Sequence, residues 1–329
     1  METLVLTRDG LQIADTPIPP LMPGDVRIEV RSVGVGERDI AIWNGEVEVK
    51  HPIVLGYEFT GVVHESSVHD FPVGQMVTAD IDIGCQRCWY CRNKQPQHCN
   101  NKKTLGLTRD GALAEYVTVP ADLVYPLPSE IDRISATFVQ PLASAVNIVE
   151  SAKLNDNEPV LVIGSGEMGL LVAQVFDAYG ADVYLAGDNR WRLGVARQLG
   201  MTNTLNWSDK DWMKKVFDNT SGVGPKIVIE TKGENETIDM ALKMIRNGGD
   251  MVLTQMPLDE GIISTSTIVE KGIKVFGNKS TNFPEAIDML EKRRIEVKRL
   301  VNKEFKLEEG TRAFEHASEP SVTKVIINI

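Results

Sequence analysis

Val160-Leu161-Val162-Ile163-Gly164-Ser165-Gly166-Glu167-Met168-Gly169 is the stretch whose reading decides the fold. Four consecutive apolar residues predict a buried strand, and Gly-x-Gly-x-x-Gly follows them directly and opens a helical stretch. Gly164 permits a tight turn, Gly166 lets backbone approach a pyrophosphate, and Gly169 lets helix and strand pack closely. The N-terminus of that helix, with Glu167 and Met168 just ahead of it, then presents backbone N–H groups to the phosphates. The motif alone is weak; in this strand–turn–helix setting it predicts a dinucleotide site, against the plainer alternative of a glycine-rich turn with no ligand.

Outward from this turn, Glu158–Gly164 is a strand, Gly169–Tyr179 a helix ending at Gly180, Asp182–Ala186 a strand, and a helix lies near Arg192–Leu199. Lys226–Glu230, Asp250–Leu253 and Ile273–Phe276 are further strands separated by helical stretches, which predicts a doubly wound parallel α/β sheet. Asn282–Arg293 has a helical pattern and Val322–Ile329 that of a last strand. Toward the N-terminus the period shortens. Val26-Arg27-Ile28-Glu29-Val30 alternates as a half-buried strand does, Phe59–Val63 is another strand, and Pro17, Pro19, Pro20, Pro23 and Gly24 punctuate the start.

With 329 residues, the chain suits two domains at roughly 100–200 residues each. Hydrophobic residues at 42% and charged residues at 25% argue against wholesale disorder. The formal charge, 35 − 46 = −11, repels phosphate and excludes generic binding to nucleic acid or an anionic membrane. No apolar run approaches the ~18 residues of a membrane span. Met1-Glu2-Thr3-Leu4 lacks the basic and apolar stretches of a signal peptide, so a cytoplasmic protein with a small-molecule partner is expected.

The four cysteines fall together as Cys85-x2-Cys88-x2-Cys91-x7-Cys99. A reducing cytosol and the tight spacing disfavour two disulfides. An iron–sulfur cluster is disfavoured because the proline that follows the last Cys in bacterial ferredoxins is missing. Four thiolates on one loop suit a closed, tetrahedral structural Zn²⁺, one per chain.

The second strand ends Leu185-Ala186-Gly187-Asp188-Asn189-Arg190-Trp191-Arg192. If Asp188 faces the adenine ribose, it accepts from the 2′-hydroxyl and NAD is favoured. If Gly187 takes that place, it leaves room for a 2′-phosphate that Arg190 and Arg192 would neutralise, and the expectation leans to NADP.

A β-rich segment with a four-cysteine loop, then a dinucleotide-binding domain, then a return segment resembles the medium-chain alcohol and polyol dehydrogenases over essentially the whole chain. Leu55-Gly56-Tyr57-Glu58-Phe59-Thr60-Gly61 is similar to the family's Leu-Gly-His-Glu-x-x-Gly, and Gln140-Pro141-Leu142-Ala143 to Glu-Pro-Leu-Ala. Arg192-Leu193-x-x-Ala196-x-x-Leu199-Gly200 also matches. The resemblance implies a GroES-like catalytic domain over residues 1–141 and 280–329, and a Rossmann NAD(P)-binding domain over 142–279. It also implies a homodimer or homotetramer paired through Ile273–Gly277, and a place for Lys324 near the pyrophosphate.

The departures are sharper. The family's catalytic zinc is held by a Cys, a His and a Cys or Glu; in this chain those places are Gly36, Tyr57 and Gln140. The Ser or Thr that relays the alcohol proton is Arg38. Glu58 matches a carboxylate that reaches the metal in some members, and Asp39 matches the family's aspartate. Glu58, Asp39 and His51 have no recognised ligand spacing, and His64, His69, His98 and His316 suit surface or loop positions. The expectation is therefore an NAD(P)(H)-dependent oxidoreductase without a catalytic zinc, acting on a carbonyl, imine or activated C=C. Tyr57 would be the proton or hydrogen-bond donor, helped by Arg38, with Gln140 orienting substrate. The alternatives are a nucleotide-binding protein that has lost its chemistry, and a zinc enzyme with atypical ligands; Tyr57 could also simply fill space.

Overall fold

The computed structural model describes residues 1–155, 157–255 and 261–329, and its contacts divide them into two compact units. The first comprises Met1–Gln140, Phe283–Lys292 and Val301–Ile329; the second comprises Pro141–Asn282 and Arg293–Leu300. The return to the first unit thus begins at Phe283 rather than 280, and Arg293–Leu300 counts with the second unit, where the Glu296 N–H donates to Gln174 Oε1 at 3.0 Å.

In the first unit the long strand Asp25–Val35 organises a seven-stranded sheet. Its first half alternates buried and half-buried residues, and its last four residues, Ser32–Val35, are all buried. It pairs antiparallel with Glu58–Ser66, Tyr116–Pro120 and Lys324–Asn328. The register sets Gly34 opposite both Glu58, the first residue of one neighbouring strand, and Ile326, the third residue of the other. The interior is aliphatic, with Val26, Ile28, Phe59, Val63, Val117, Val119, Val325 and Ile327 among its buried residues.

The second unit is built on six parallel strands in the order Asn203–Asn206, Asp182–Gly187, Pro159–Ile163, Ile227–Glu230, Asp250–Leu253, Lys274–Gly277. Its central strands are buried almost throughout, as helices on both faces of a parallel sheet require. Chain order reverses beside Pro159–Ile163, the strand that feeds the glycine turn, and such reversals are where open α/β sheets bind ligands. The expected strands and helices are all present, with ends moved by a few residues: the helix after the turn is Glu167–Ala178, the next Arg190–Gln198, the later one Phe283–Glu291 and the last strand Lys324–Asn328. Among the described residues no helix is long and apolar enough to cross a membrane.

Candidate functional site

The glycine turn has the geometry its sequence demands. Gly164 has φ +116°, and a Cβ there would strike Thr231 Oγ1. A Cβ on Gly169 would lie 2.8 Å from the Gly164 carbonyl carbon, so the helix sits against the turn only because position 169 has no side chain. Gly166 is the extended N-cap of Glu167–Ala178, whose first turn carries Glu167, buried, and Met168, half-buried. Ser165 is 3% exposed and its Oγ has no protein partner, an unsatisfied hydroxyl inside the turn that a bound phosphate or ribose would satisfy. These residues fit a dinucleotide.

The end of the second strand is where Gly187 is expected to leave room for a 2′-phosphate. Gly187 is buried, and a Cβ built on it would lie 2.6 Å from Ser165 Cβ, so the glycine makes room for the Ser165 side chain. Asn189 caps the next helix, accepting from Trp191 N at 3.0 Å and Arg192 N at 3.1 Å. Arg190 is exposed with Asp209 4.0 Å away, and Arg192 is half-buried. Asp188 is exposed and pairs with Lys232 at 3.3 Å. Neither period nor motif marks Lys232 in the sequence; only the pairing of strand ends brings it to Asp188.

The residues that stand where the family has its catalytic metal ligands gather in the first unit. A Cβ on Gly36 would lie 2.6 Å from Tyr57 Cζ, closer still to its hydroxyl, and 2.8 Å from Glu58 Oε1. The Tyr57 phenol therefore occupies the space of a side chain at position 36. Tyr57 is 9% exposed, and the Arg38 guanidinium lies over its ring, 3.8 Å from the centroid. Arg38 also donates to the Leu105 carbonyl at 2.9 Å, while its buried Nε has no partner. Asp39 is wholly buried and accepts from Gly56 N at 3.0 Å and Gly36 N at 3.2 Å, fixing both backbones that carry the site. Burial pushes Asp39 up to about 6, against the pull of Arg38 and those two N–H groups. Gln140 is half-buried, near the start of the helix Val139–Ser151.

Glu58 forms a buried ion pair with Lys324, whose side chain is 0% exposed, and Gly34 makes the room: a Cβ there would be 2.6 Å from Lys324 Cε. The Lys324 ammonium also lies 5.4 Å from the Phe138 ring centroid. Lys324, which the resemblance places near the pyrophosphate, is set here beside Glu58 within the first unit. His51 is half-buried with Nδ1 3.4 Å from the Leu6 carbonyl, away from this cluster.

The sulfur atoms of Cys85, Cys88, Cys91 and Cys99 all lie within 4.8 Å of one another. Tetrahedral Zn–S bonds of about 2.3 Å need S···S separations of about 3.8 Å, so the cluster fits one zinc. Gly84 is required beside it, because a Cβ there would be 2.7 Å from Cys91 Sγ. Backbone N–H groups of Arg87 and Cys88 pull Cys85 down to about 6, while burial pushes Cys91 up to about 11; a dication would ionise both. Among the described residues this is the one group of three or more His, Cys, Asp or Glu side chains set to hold a metal. Metal analysis after removal of loosely held ions should give about one zinc per chain, and Cys88→Ser should release it; retention of the metal by that variant would refute the four-thiolate assignment.

A GroES-like β unit with a four-thiolate zinc loop, together with a parallel sheet carrying a dinucleotide turn, defines a medium-chain oxidoreductase. Residues 22–129 match the alcohol dehydrogenase GroES-like domain and residues 168–292 the zinc-binding dehydrogenase domain. An L-threonine 3-dehydrogenase of Bacillus subtilis is 30% identical over 97% of this chain and 95% of its own. A sorbitol dehydrogenase of Halalkalibacterium halodurans is 28% identical over 99% of both. An Escherichia coli alcohol dehydrogenase solved with NADH superposes with a TM-score of 0.92 at 25% identity, covering 100% of this chain and 99% of that one. The chain belongs to the zinc-binding dehydrogenase family of medium-chain NAD(P)-dependent oxidoreductases.

Proposed function

We propose that this chain transfers a hydride between a nicotinamide cofactor and the carbon of a carbonyl, imine or activated C=C, with Tyr57 rather than a metal meeting the charge that develops on the substrate. The observation that carries the reading is the seating of the Tyr57 phenol against Gly36, with Glu58 alongside. The family's catalytic zinc does not suit these residues. Gly36 offers no ligand atom, neutral Tyr and Gln are poor zinc ligands, and the phenol takes the volume a ligand at 36 would need.

A nicotinamide dinucleotide held at the glycine turn would supply or accept the hydride. The chain must then hold a proton where negative charge appears, and Tyr57 Oη is the donor at this place. Arg38, face-on to the ring, stabilises negative charge on the phenol as its proton leaves. The Glu58 carboxylate is neutralised by Lys324 and so does not oppose that charge. A conjugated acceptor suits this site best, because it delocalises charge that a metal would otherwise carry. Lys274–Gly277 lies at one edge of its sheet and is the surface we assign to pairing between copies in a homodimer or homotetramer.

The test is consumption of NADH or NADPH across a panel of conjugated enones, carbonyls and imines, run on protein whose zinc has been counted. Turnover with one zinc per chain is expected. Two zincs per chain, or nucleotide binding with no oxidation by any panel member, would sink this reading.

A further inference from the structure

We propose that the substrate of this chain carries a carboxylate, held by Arg38 while Tyr57 meets the reacting atom. The inference rests on the reading of Tyr57 above and adds a substrate class: an oxo acid, an imino acid or a conjugated enoate. Arg38 is the second residue of the helix Glu37–Trp43, and its guanidinium covers the Tyr57 ring 3.8 Å from the centroid. A guanidinium stacked on a ring keeps its five N–H groups in its own plane, where a carboxylate can take two of them at once. Binding of that kind leaves the face of the guanidinium on the ring, so the contact with Tyr57 persists.

The cation is held in place but not neutralised. Nη2 donates to the Leu105 carbonyl at 2.9 Å, while Nε, shut off from water, has no acceptor. The carboxylates around it are engaged elsewhere. Asp39 lies within the field of Arg38 but is fully buried, with one oxygen accepting from Gly56 N at 3.0 Å and the other from Gly36 N at 3.2 Å. Glu58 is paired with Lys324, and Glu37 is exposed. Among the described residues the contacts of the Arg38 guanidinium are thus a ring and a carbonyl oxygen, with no carboxylate partner. A half-buried cation without a counter-ion, and a buried N–H without an acceptor, are both costly, and an anionic ligand relieves both. In a chain of formal charge −11 the overall field does not draw an anion in, so its attraction has to be local. Arg38 supplies that attraction directly against the proton donor.

The experiment is steady-state turnover by the full-length, zinc-loaded protein, with saturating NADH or NADPH, of matched pairs: 2-oxo acids and conjugated enoic acids against their methyl esters. A free carboxylate makes the neighbouring C=O or C=C less electrophilic than an ester does, so intrinsic reactivity favours the ester and binding has to reverse the order. The acids should have kcat/KM values at least about tenfold higher, the scale of hydrogen bonds to a charged group. Arg38→Met should slow both members of a pair, because the phenol loses its cation, and should also raise the KM of the acid alone by about tenfold. The ratio of acid to ester then shifts toward the ester, which a merely structural role for Arg38 would not produce. Arg38→Lys keeps the charge without the planar fork and should fall between. Esters used as well as acids by the parent, a result that needs no variant to fold, would overturn the proposal and leave the hydride-transfer reading standing. An Arg38→Met variant that keeps the parent's ratio would do the same. No turnover of acids, esters or simple enones would overturn both.

Discussion

Tyr57→Phe should lower turnover by about 10²–10³ while leaving nucleotide affinity and melting temperature near those of the parent. The magnitude is that of removing one donor from the place where charge develops on oxygen. The variant keeps the ring, which is what fills the space beside Gly36 and carries the Arg38 guanidinium 3.8 Å above it. Only the hydroxyl goes, and with it about 0.5–1.5 kcal/mol of hydrogen bonding. Packing and chemistry therefore separate: a space-filling tyrosine predicts an active Phe variant, and a proton donor predicts a folded, nucleotide-binding, slow one. A parent-like rate would leave Tyr57 as packing.

Much of this arrangement is written locally and so can be read from the sequence. The glycine turn carries its function in spacing, and the structure gives the physical reason at each position: Gly164 turns through a positive φ, and Gly169 touches the carbonyl of Gly164. The cysteine loop is equally local, four ligands between positions 85 and 99. The helix Val139–Ser151 escapes a reading by pattern because Pro141, its third residue, looks like a breaker, although a helix tolerates proline in its first turn. The short helix Glu37–Trp43 escapes because polar residues at 37–39 hide its period. A glycine in the sequence shows an absence and not what fills it. Gly187 reads as room for a phosphate and holds Ser165; Gly36 reads as a lost ligand and is also the seat of Tyr57. Lys232 and Lys324 meet partners 44 and 266 residues away, which no local pattern displays.

Lys324→Met should be the most destabilising conservative change in the first unit. Glu58 and Lys324 are 3% and 0% exposed, so each is the other's substitute for water. Breaking such a pair by removing one partner costs about 3–5 kcal/mol, against total domain stabilities of about 5–15 kcal/mol. Methionine nearly matches the lysine stem in length, so the loss would come from the stranded charge and not from a cavity. The pH dependence identifies it. An unpaired buried Glu58 has its folded pKa raised above the unfolded value, so the folded variant holds a proton that the unfolded chain sheds above about pH 4.3. The deficit should therefore grow as pH rises from about 4 through the raised value, and shrink in acid. Urea unfolding at about pH 5 and about pH 7.5, on either side of most of that rise, measures this directly. Adding Glu58→Gln to Lys324→Met removes the second charge and should restore most of the loss, because a buried pair contributes little beyond its neutral equivalent. A deficit that is the same at both pH values, and that Glu58→Gln does not relieve, would mean that the lysine stem packing beside Gly34 and Phe138 matters more than its charge. The pair would then be a consequence of the packing around Tyr57 and not the means by which Glu58 is kept neutralised next to it.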